Sequence, residues 1–192
     1  MQPLLIPALK RKGFKIYEEV SQLNIIGIRK AVGPCNSFND KIVVFFRSSG
    51  AEWICYSFTA TTYPGSYWLQ KPINPGGTAI LLPGQYIGSH QLGLHRGKYR
   101  ALIQKSPLPI CRDNDRDIFP ELNKSTIQTG MFGINIHRAM AQADAATIDK
   151  FSAGCQVFQD PKEFSFFITL ADAHRKLYGN SFTYTLINDT DL

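Results

Sequence analysis

Short runs of β-branched and aromatic residues, separated by turn dipeptides, are the sequence feature that most restricts the fold. The runs are four to six residues long, and Gly-Pro, Ser-Gly, Pro-Gly and Gly-Gly pairs lie between them. Segments of this length and composition are typical of strands rather than helices. We therefore predict a mostly β chain, with strands over residues 23–28, 41–46, 53–58, 66–69, 78–82, 99–104, 132–136 and 182–187.

Two helices are also predicted. The better defined one begins after Asp160, an N-cap acceptor that is followed by Pro161 at the first helical position and by Glu163 three residues after the cap. Apolar residues then recur at helical spacing as far as a Gly-Asn pair at 179–180. We expect this C-terminal helix to cover one side of the sheet, and a short helix over residues 3–11.

Size and charge limit the partners of the chain. Its 192 residues, 44% of them hydrophobic, can bury one substantial core. The 21 basic and 15 acidic residues give a net charge of +6, which favours anionic partners such as cell-wall polymers. No apolar run approaches the roughly 20 residues of a membrane span. Basic clusters at 10–12 and 96–100 lack the sequence context of nucleic-acid readers, so nucleic acid is not expected as a partner.

The sequence does not predict a metal or a cofactor. The four cysteines, at positions 35, 55, 111 and 155, form no C-x-x-C pair. His90 and His95 could join Cys155 at a zinc ion, but no further ligand lies at recognisable spacing, and histidines of the surface or a substrate groove are the preferred interpretation. Residues 112–117 alternate carboxylates without the glycine and glutamate of an EF-hand, so a solvated, turn-forming loop is expected.

The stretch that is most informative about function combines residues 133–138 (GINIHR) with residues 151–158 (FSAGCQVF). A cysteine attacks a carbonyl as a thiolate, and a neighbouring imidazole lowers the thiol pKa from about 8.5 to about 3.5–7.5. His137 ends a predicted strand, and Cys155 follows a glycine that allows a tight turn with backbone N–H groups free for an oxyanion. We expect the two side chains to form a Cys-His dyad.

The spacing of these residues resembles the active-site signature of YkuD-type L,D-transpeptidases. In that family a His is followed, after fourteen to seventeen residues, by Ser/Thr-His-Gly-Cys. Here His137 is followed, after fourteen residues, by Ser-Ala-Gly-Cys at 152–155. Residues 61–67 (TTYPGSY) are similar to the family's Thr-Pro-x-Pro-x-Gly-x-Tyr/Phe segment, and residues 133–137 to its Gly-x-x-x-His strand. The resemblance covers roughly residues 55–160, about half of the chain.

The resemblance implies an L,D-transpeptidase-like β-sandwich or barrel with a C-terminal helix. It also implies a cysteine that attacks the amide after meso-diaminopimelate, or a similar residue, in a peptidoglycan stem peptide. The resulting thioester passes to an amine, which gives a cross-link, or to water, which gives carboxypeptidase or endopeptidase action. By position, Cys155 is the nucleophile and His137 is the general base and then the general acid. Gly154 and Cys155 provide the oxyanion N–H groups, and Ser152 orients the imidazole or the turn.

The chain departs from the family signature at three positions. Ala153 replaces the His before Gly-Cys, Arg138 replaces the Gly after the catalytic His, and Val157 replaces the Arg two residues after the Cys. Arg138 is therefore expected to bind a substrate carboxylate in place of the missing Arg. Ala153 and Gln156, on either side of the Gly-Cys pair, complete the predicted substrate-binding set.

The predicted organisation is a catalytic domain over residues 51–192 with an N-terminal extension, residues 1–50, packed on its core as one compact unit. The amino terminus does not read as a secretory signal, so synthesis in the cytoplasm and action at the periplasm or cell wall are expected, as for a phage lysis or virion-associated enzyme or a delivered effector. In that setting hydrolysis is favoured over cross-linking. Two alternatives stay open: a non-catalytic cell-wall-binding or virion structural protein with this fold, and a cysteine protease that acts on proteins.

Overall fold

The computed structural model describes residues 2–31 and 36–192. The chain is mostly β, with 37% strand and 20% helix, which confirms the coarse fold prediction. Cys35 lies outside the described residues, and Cys55, Cys111 and Cys155 are free thiols. In the part that is described, no helix has the length and apolarity needed to cross a membrane.

The elements are α1 (Gln2–Arg11), β1 (Asn24–Arg29), β2 (Asp40–Arg47), β3 (Trp53–Thr61), α2 (Ser66–Gln70), β4 (Thr78–Leu81), β5 (Gly84–His95), β6 (Tyr99–Gln104), β7 (Leu108–Asp113), β8 (Gln128–Gly130), β9 (Ile136–Arg138), β10 (Gln156–Phe158), α3 (Pro161–Tyr178) and β11 (Phe182–Asn188).

Eight of these strands close into a barrel in the order β1-β11-β5-β6-β9-β10-β3-β2. Strand β1 runs parallel to β11 and β9 runs parallel to β10, whereas the other neighbours are antiparallel. The strands β4, β7 and β8 form a separate antiparallel sheet in the order β4-β7-β8. This small sheet packs against the barrel because Leu81 and Ile110 join the main hydrophobic core.

The segment before residue 50 is part of the barrel as well as a covering element. Strands β1 and β2 are buried on both faces, which explains their continuous apolar sequence. On β1, Ile25 belongs to the main core, while Ile26 packs with Phe45 of β2 and with Leu5 of α1 in a second cluster. The segment thus supplies two barrel strands and a helix that covers their outer face.

Helix α3 confirms the helix predicted after Asp160. The Asp160 carboxylate accepts a hydrogen bond from a backbone N–H of the first turn at 2.6 Å, and the helix ends at Gly179, where φ is 82°. The Glu163 carboxylate accepts from the Thr59 N–H at 3.4 Å and so connects the start of the helix to β3. The buried aromatic residues of α3 pack into the main core of the barrel.

Two strand predictions need correction. Residues 66–69, predicted as a strand, form the short helix α2, whose first N–H, that of Ser66, is bound by the Asn36 side chain at 3.1 Å. The strand predicted over residues 132–136 is displaced to β9. The preceding N–H groups of Phe132 and Ile134 are instead held by the Gln104 amide oxygen, at 3.1 and 2.9 Å. In both places a side chain takes up backbone groups that a strand partner would have bound.

The buried side chain of Arg29 connects the barrel to the small sheet. Its guanidinium donates to Thr62 Oγ1 at 3.0 Å, to Thr62 O at 2.7 Å and to Leu81 O at 2.8 Å. Asp40, also buried, accepts from the Thr62 N–H at 2.7 Å and from its hydroxyl at 2.8 Å. Thr62 therefore lies between a buried cation and a buried carboxylate, and these contacts hold the ends of β1, β2 and β3 against β4.

The structure predicts that Arg29→Met destabilises the protein by about 3–5 kcal/mol, because the substitution leaves the buried Thr62 O and Leu81 O without their donor and removes a cation near the buried Asp40. Arg29→Lys keeps the charge but not the planar set of donors, so a smaller loss is expected. Urea unfolding measures both. Arg47→Met, at a half-buried position of the same barrel, is the control, with an expected loss below about 1 kcal/mol. Equal losses for Arg29→Met and Arg47→Met would contradict the role given to Arg29.

Candidate active site

A cavity of about 500 Å³ is bounded both by the small sheet and by the barrel. Strands β4 and β7 contribute one wall, and β5, β9 and the segments before β9 and β10 contribute the other. The residues with polar or reactive side chains that matter for its chemistry are Thr78, His95, Arg112, Asn135, His137 and Cys155.

Strand pairing brings His137 and Cys155 to this cavity. The parallel ladder between β9 and β10 pairs Ile136 with Gln156 and His137 with Val157. Ile136 and Gln156 are fully buried on the core side of the barrel. Neighbouring residues of a strand point to opposite faces, so His137 and Cys155 lie on the face opposite to Ile136 and Gln156. Both residues line the cavity on that face. The predicted pair therefore opens into one space.

Ser152 organises the turn that precedes Cys155. Its hydroxyl donates to Cys155 O at 2.8 Å and accepts from the Gly154 N–H at 3.2 Å. Ser152 thus orients the turn, which was one of its two predicted roles. Because the Gly154 N–H is bound in this way, it is not free for an oxyanion. The Cys155 N–H, the other predicted donor, makes no hydrogen bond to any described residue.

The hydrogen bonds of His137 define its tautomer. Its Nδ1 lies 2.8 Å from Arg138 O, which can only accept, so Nδ1 carries the ring proton. The Tyr99 hydroxyl lies 3.2 Å from the same nitrogen and donates to the same carbonyl at 3.1 Å. The lone pair is therefore on Nε2, which has no hydrogen-bond partner among the described residues and is not sealed from solvent. Because His137 lines the cavity, its Nε2 is the candidate base of the site.

A second imidazole, that of His95, stacks on His137 with ring centroids 4.1 Å apart. The Asn135 amide oxygen accepts from the Gln104 N–H at 2.8 Å, so its amide nitrogen donates to His95 Nδ1, 3.2 Å away. The proton of neutral His95 is consequently on Nε2. The cavity thus contains one imidazole that can accept a proton and one that can donate a hydrogen bond.

His90, the other histidine considered for zinc, is structural. It is fully buried, and its ring nitrogens contact Ser89 Oγ at 2.8 Å and Ile134 O at 2.9 Å. These bonds hold the segment before β9 against β5. Across residues 2–31 and 36–192, no group of three or more His, Cys, Asp or Glu side chains could hold a metal ion.

Burial keeps the candidate dyad neutral in the free protein. It lowers the pKa of His137 to about 3, and the neighbouring His95 and Arg96 add to the effect. It also raises the pKa of the Cys155 thiol, an effect that the Asn135 N–H and the Arg96 charge only partly oppose. The thiol donates to Gly133 O at 3.2 Å, and no hydrogen bond joins it to His137. The thiolate expected from the sequence is therefore absent from the resting site.

The predicted substrate-binding residues divide between three places. Ala153 lines the cavity. Gln156 is buried in the barrel, where its side-chain oxygen accepts from the Tyr184 hydroxyl at 2.8 Å. Arg138 lies over the Tyr99 ring, with its guanidinium carbon 4.2 Å from the ring centroid, in a second groove. The structure thus does not bring Gln156 or Arg138 to the cavity.

Arg112 is the functional candidate that sequence reasoning missed. Residues 112–117 were predicted as a solvated loop, but Arg112 and Asp113 belong to β7, and Arg112 lines the cavity. The later part of that segment is turn-like, as predicted, with the Asp115 and Asp117 side chains accepting from backbone N–H groups two residues ahead. The short apolar run over residues 108–111 is the available signal for a strand that reaches Arg112, and Pro109 weakens it.

No protein-family model, no curated protein and no solved structure matches this chain. The similarity to L,D-transpeptidases therefore rests on the motif residues alone.

We predict that alkylation of Cys155 by iodoacetamide has a pH midpoint above that of an ordinary thiol, about 8.5, because burial disfavours the thiolate. Mass spectrometry of the Cys155 peptide isolates this site from the other cysteines. The same peptide in urea-unfolded protein is the reference, since unfolding removes the burial. A midpoint in the folded protein below that of the unfolded one would contradict a neutral resting thiol.

A second prediction concerns the turn before Cys155. Gly154 has φ of +120°, and a Cβ there would lie 2.4 Å from Ala79 O of β4, whereas Gly133 has φ of +73° and nothing within 4 Å of such an atom. Both alanine variants incur backbone strain of about 1–3 kcal/mol, but only Gly154→Ala also forces the turn away from β4. Gly154→Ala should therefore lower the free energy of unfolding more than Gly133→Ala does, and equal losses would refute the close contact.

Proposed function

We propose that this chain is a cysteine acyl-transfer enzyme with an L,D-transpeptidase-like fold that cleaves peptidoglycan stem peptides. The observation that carries the proposal is that Cys155 and His137 line one cavity, with the ring proton of His137 on Nδ1 and its lone pair on Nε2. The motif spacing that resembles L,D-transpeptidases supports the substrate class. The closed barrel and its C-terminal helix agree with the architecture that the resemblance implies.

The proposed reaction starts from a neutral pair. A substrate carbonyl in the cavity draws the thiol away from Gly133 O, and the thiol proton passes to His137 Nε2 as sulfur attacks the carbonyl carbon. The thiolate and the imidazolium stabilise each other while both exist, so the unfavourable resting pKa values do not have to be overcome separately. His137 plays the part of the base and Cys155 that of the nucleophile.

The remaining steps use donors and protons that the site already contains. The Cys155 N–H and the Nε2–H of His95 are the candidate donors for the oxyanion. The imidazolium returns its proton to the leaving amine, and the cysteine stays acylated as a thioester. Water, deprotonated by His137, then attacks the thioester, releases a carboxylic acid and restores the thiol. An amine acceptor in place of water would give a cross-link.

The proposed setting is the periplasm or cell wall, and hydrolysis as an L,D-carboxypeptidase or endopeptidase is favoured, as in phage lysis or virion-associated enzymes. The net charge of +6 supports association with anionic cell-wall polymers. The resting site also supports one alternative, a non-catalytic wall-binding or virion structural protein. A neutral thiol bonded to a backbone carbonyl is what an inert cysteine would show.

Purified sacculi distinguish the enzyme from the binding protein. Wild type is expected to release stem-peptide fragments, detected by mass spectrometry, and Cys155→Ala to release none above background. His137→Ala should slow release by about 100- to 10,000-fold through loss of the base. Cys55→Ala is the matched control, because Cys55 packs in the second cluster near α1 and should not affect release. Equal release by wild type and Cys155→Ala, or none by either, would exclude the proposed activity.

A further inference from the structure

Arg112 is a cation that the protein buries without satisfying it. Only 9% of its surface is exposed, and its Nη1 donates to Gly77 O at 3.1 Å. Its Nε is buried and has no hydrogen-bond partner, the only such side-chain atom among the described residues. Nη2 also makes no hydrogen bond to a described residue. Nε is sealed from solvent, whereas Nη2 is not, so Nη2 is the donor that a carboxylate in the cavity can reach.

This guanidinium lies on the thiol side of the cavity. Its central carbon is 5.1 Å from the centroid of the Phe132 ring. The next residue, Gly133, is the one whose carbonyl accepts the Cys155 thiol. A ligand bound by Arg112 therefore meets the same short segment that contacts the nucleophile.

The charge of the cavity is one-sided. Of its described lining residues, Arg96 and Arg112 are the charged ones, and no Asp or Glu is among them. Arg96 is exposed in the turn between β5 and β6, whereas Arg112 is buried. A buried charge is normally paired, so the missing partner of Arg112 is expected to come with the ligand.

We propose that Arg112 is a specificity-determining residue that binds a free carboxylate of the substrate beside the bond that Cys155 attacks. This inference rests on the proposed function where it concerns stem peptides. There the carboxylate is either the terminal one of the leaving residue or the side-chain one of the diamino acid. Arg112 thus has the carboxylate-binding role that the sequence analysis assigns to Arg138.

The subsite can be tested without assuming any enzymatic activity. Iodoacetate carries a carboxylate and iodoacetamide does not, but both alkylate a thiolate with loss of iodide. We expect Arg112→Met to lower the ratio of the iodoacetate to the iodoacetamide rate at Cys155 by about tenfold or more, and Arg112→Lys to recover part of it. Arg96→Met, at the exposed cation, should change the ratio only about twofold, and only at low salt.

For the Arg112 variants the iodoacetamide rate is the internal control for an intact cavity. Arg96→Met is compared by its ratio alone, because loss of the Arg96 charge raises the Cys155 pKa and slows both reagents. A ratio that Arg112→Met leaves equal to that of wild type overturns the subsite. If Arg112→Met alters the iodoacetamide rate, Arg112→Lys takes its place in the comparison. The iodoacetate-to-iodoacetamide ratio of Arg112→Lys must then lie below that of wild type.

Synthetic stem tetrapeptides distinguish the two sources of the carboxylate. One peptide has its terminal carboxylate amidated and the other has the side-chain carboxylate of diaminopimelate amidated. Amidation of the bound group should lower wild-type cleavage by about tenfold or more, and Arg112→Met should abolish that difference. If neither peptide nor the unmodified one is cleaved while the alkylation ratio still depends on Arg112, the proposed function fails and the carboxylate subsite stands. If cleavage occurs but amidation at both positions has no effect, the subsite fails and the function stands.

Discussion

The buried guanidinium of Arg29 is the contact on which the cavity depends. The barrel carries His137 and Cys155, whereas Arg112 and the strand against Gly154 belong to the small sheet. Arg29 donates one hydrogen bond to Leu81 O at the end of β4 and two to Thr62 beside β3, and so connects β4 to the barrel. Because a buried cation without these partners would be very unfavourable, the two sheets have little freedom to separate. The volume and the shape of the candidate site follow from that restraint.

Burial of the site affects the protonation of Cys155 and His137 and the affinity of Arg112 for an anion. It disfavours the thiolate and the imidazolium, so Cys155 and His137 rest as neutral groups with their protons directed by backbone carbonyls. It also strengthens the attraction of the unpaired Arg112 for an anion. A site of this kind is unreactive without a ligand. The proposed chemistry begins only when a ligand supplies a carbonyl for Cys155 and a negative charge for Arg112.

Much of the fold could be predicted because local rules decide it. The apolar runs that became β1, β2 and β6 are strands, and α3 has both of its predicted ends, since a cap, a proline and a glycine act within a few residues. The strand prediction for residues 66–69 was wrong because their aromatic side chains fit a strand or a helix equally well. Contact with the distant Asn36 favours the helix. The polar strand β5 was missed for a similar reason, since its alternation is hidden by glycine, serine and histidine.

For the site, the pair could be predicted because the spacing of His137 and Cys155, each beside a strand, is local information, and parallel pairing of β9 with β10 puts the two residues on one face. The surroundings of the pair could not be predicted in this way, because they depend on packing between distant parts of the chain. Residues adjacent to a motif point to opposite faces of a strand, which removed Gln156 from the cavity, and Arg138 at the strand end turns to a second groove. His95 and Arg112 arrive from other strands, because a closed barrel and a packed sheet bring together residues that no local pattern relates.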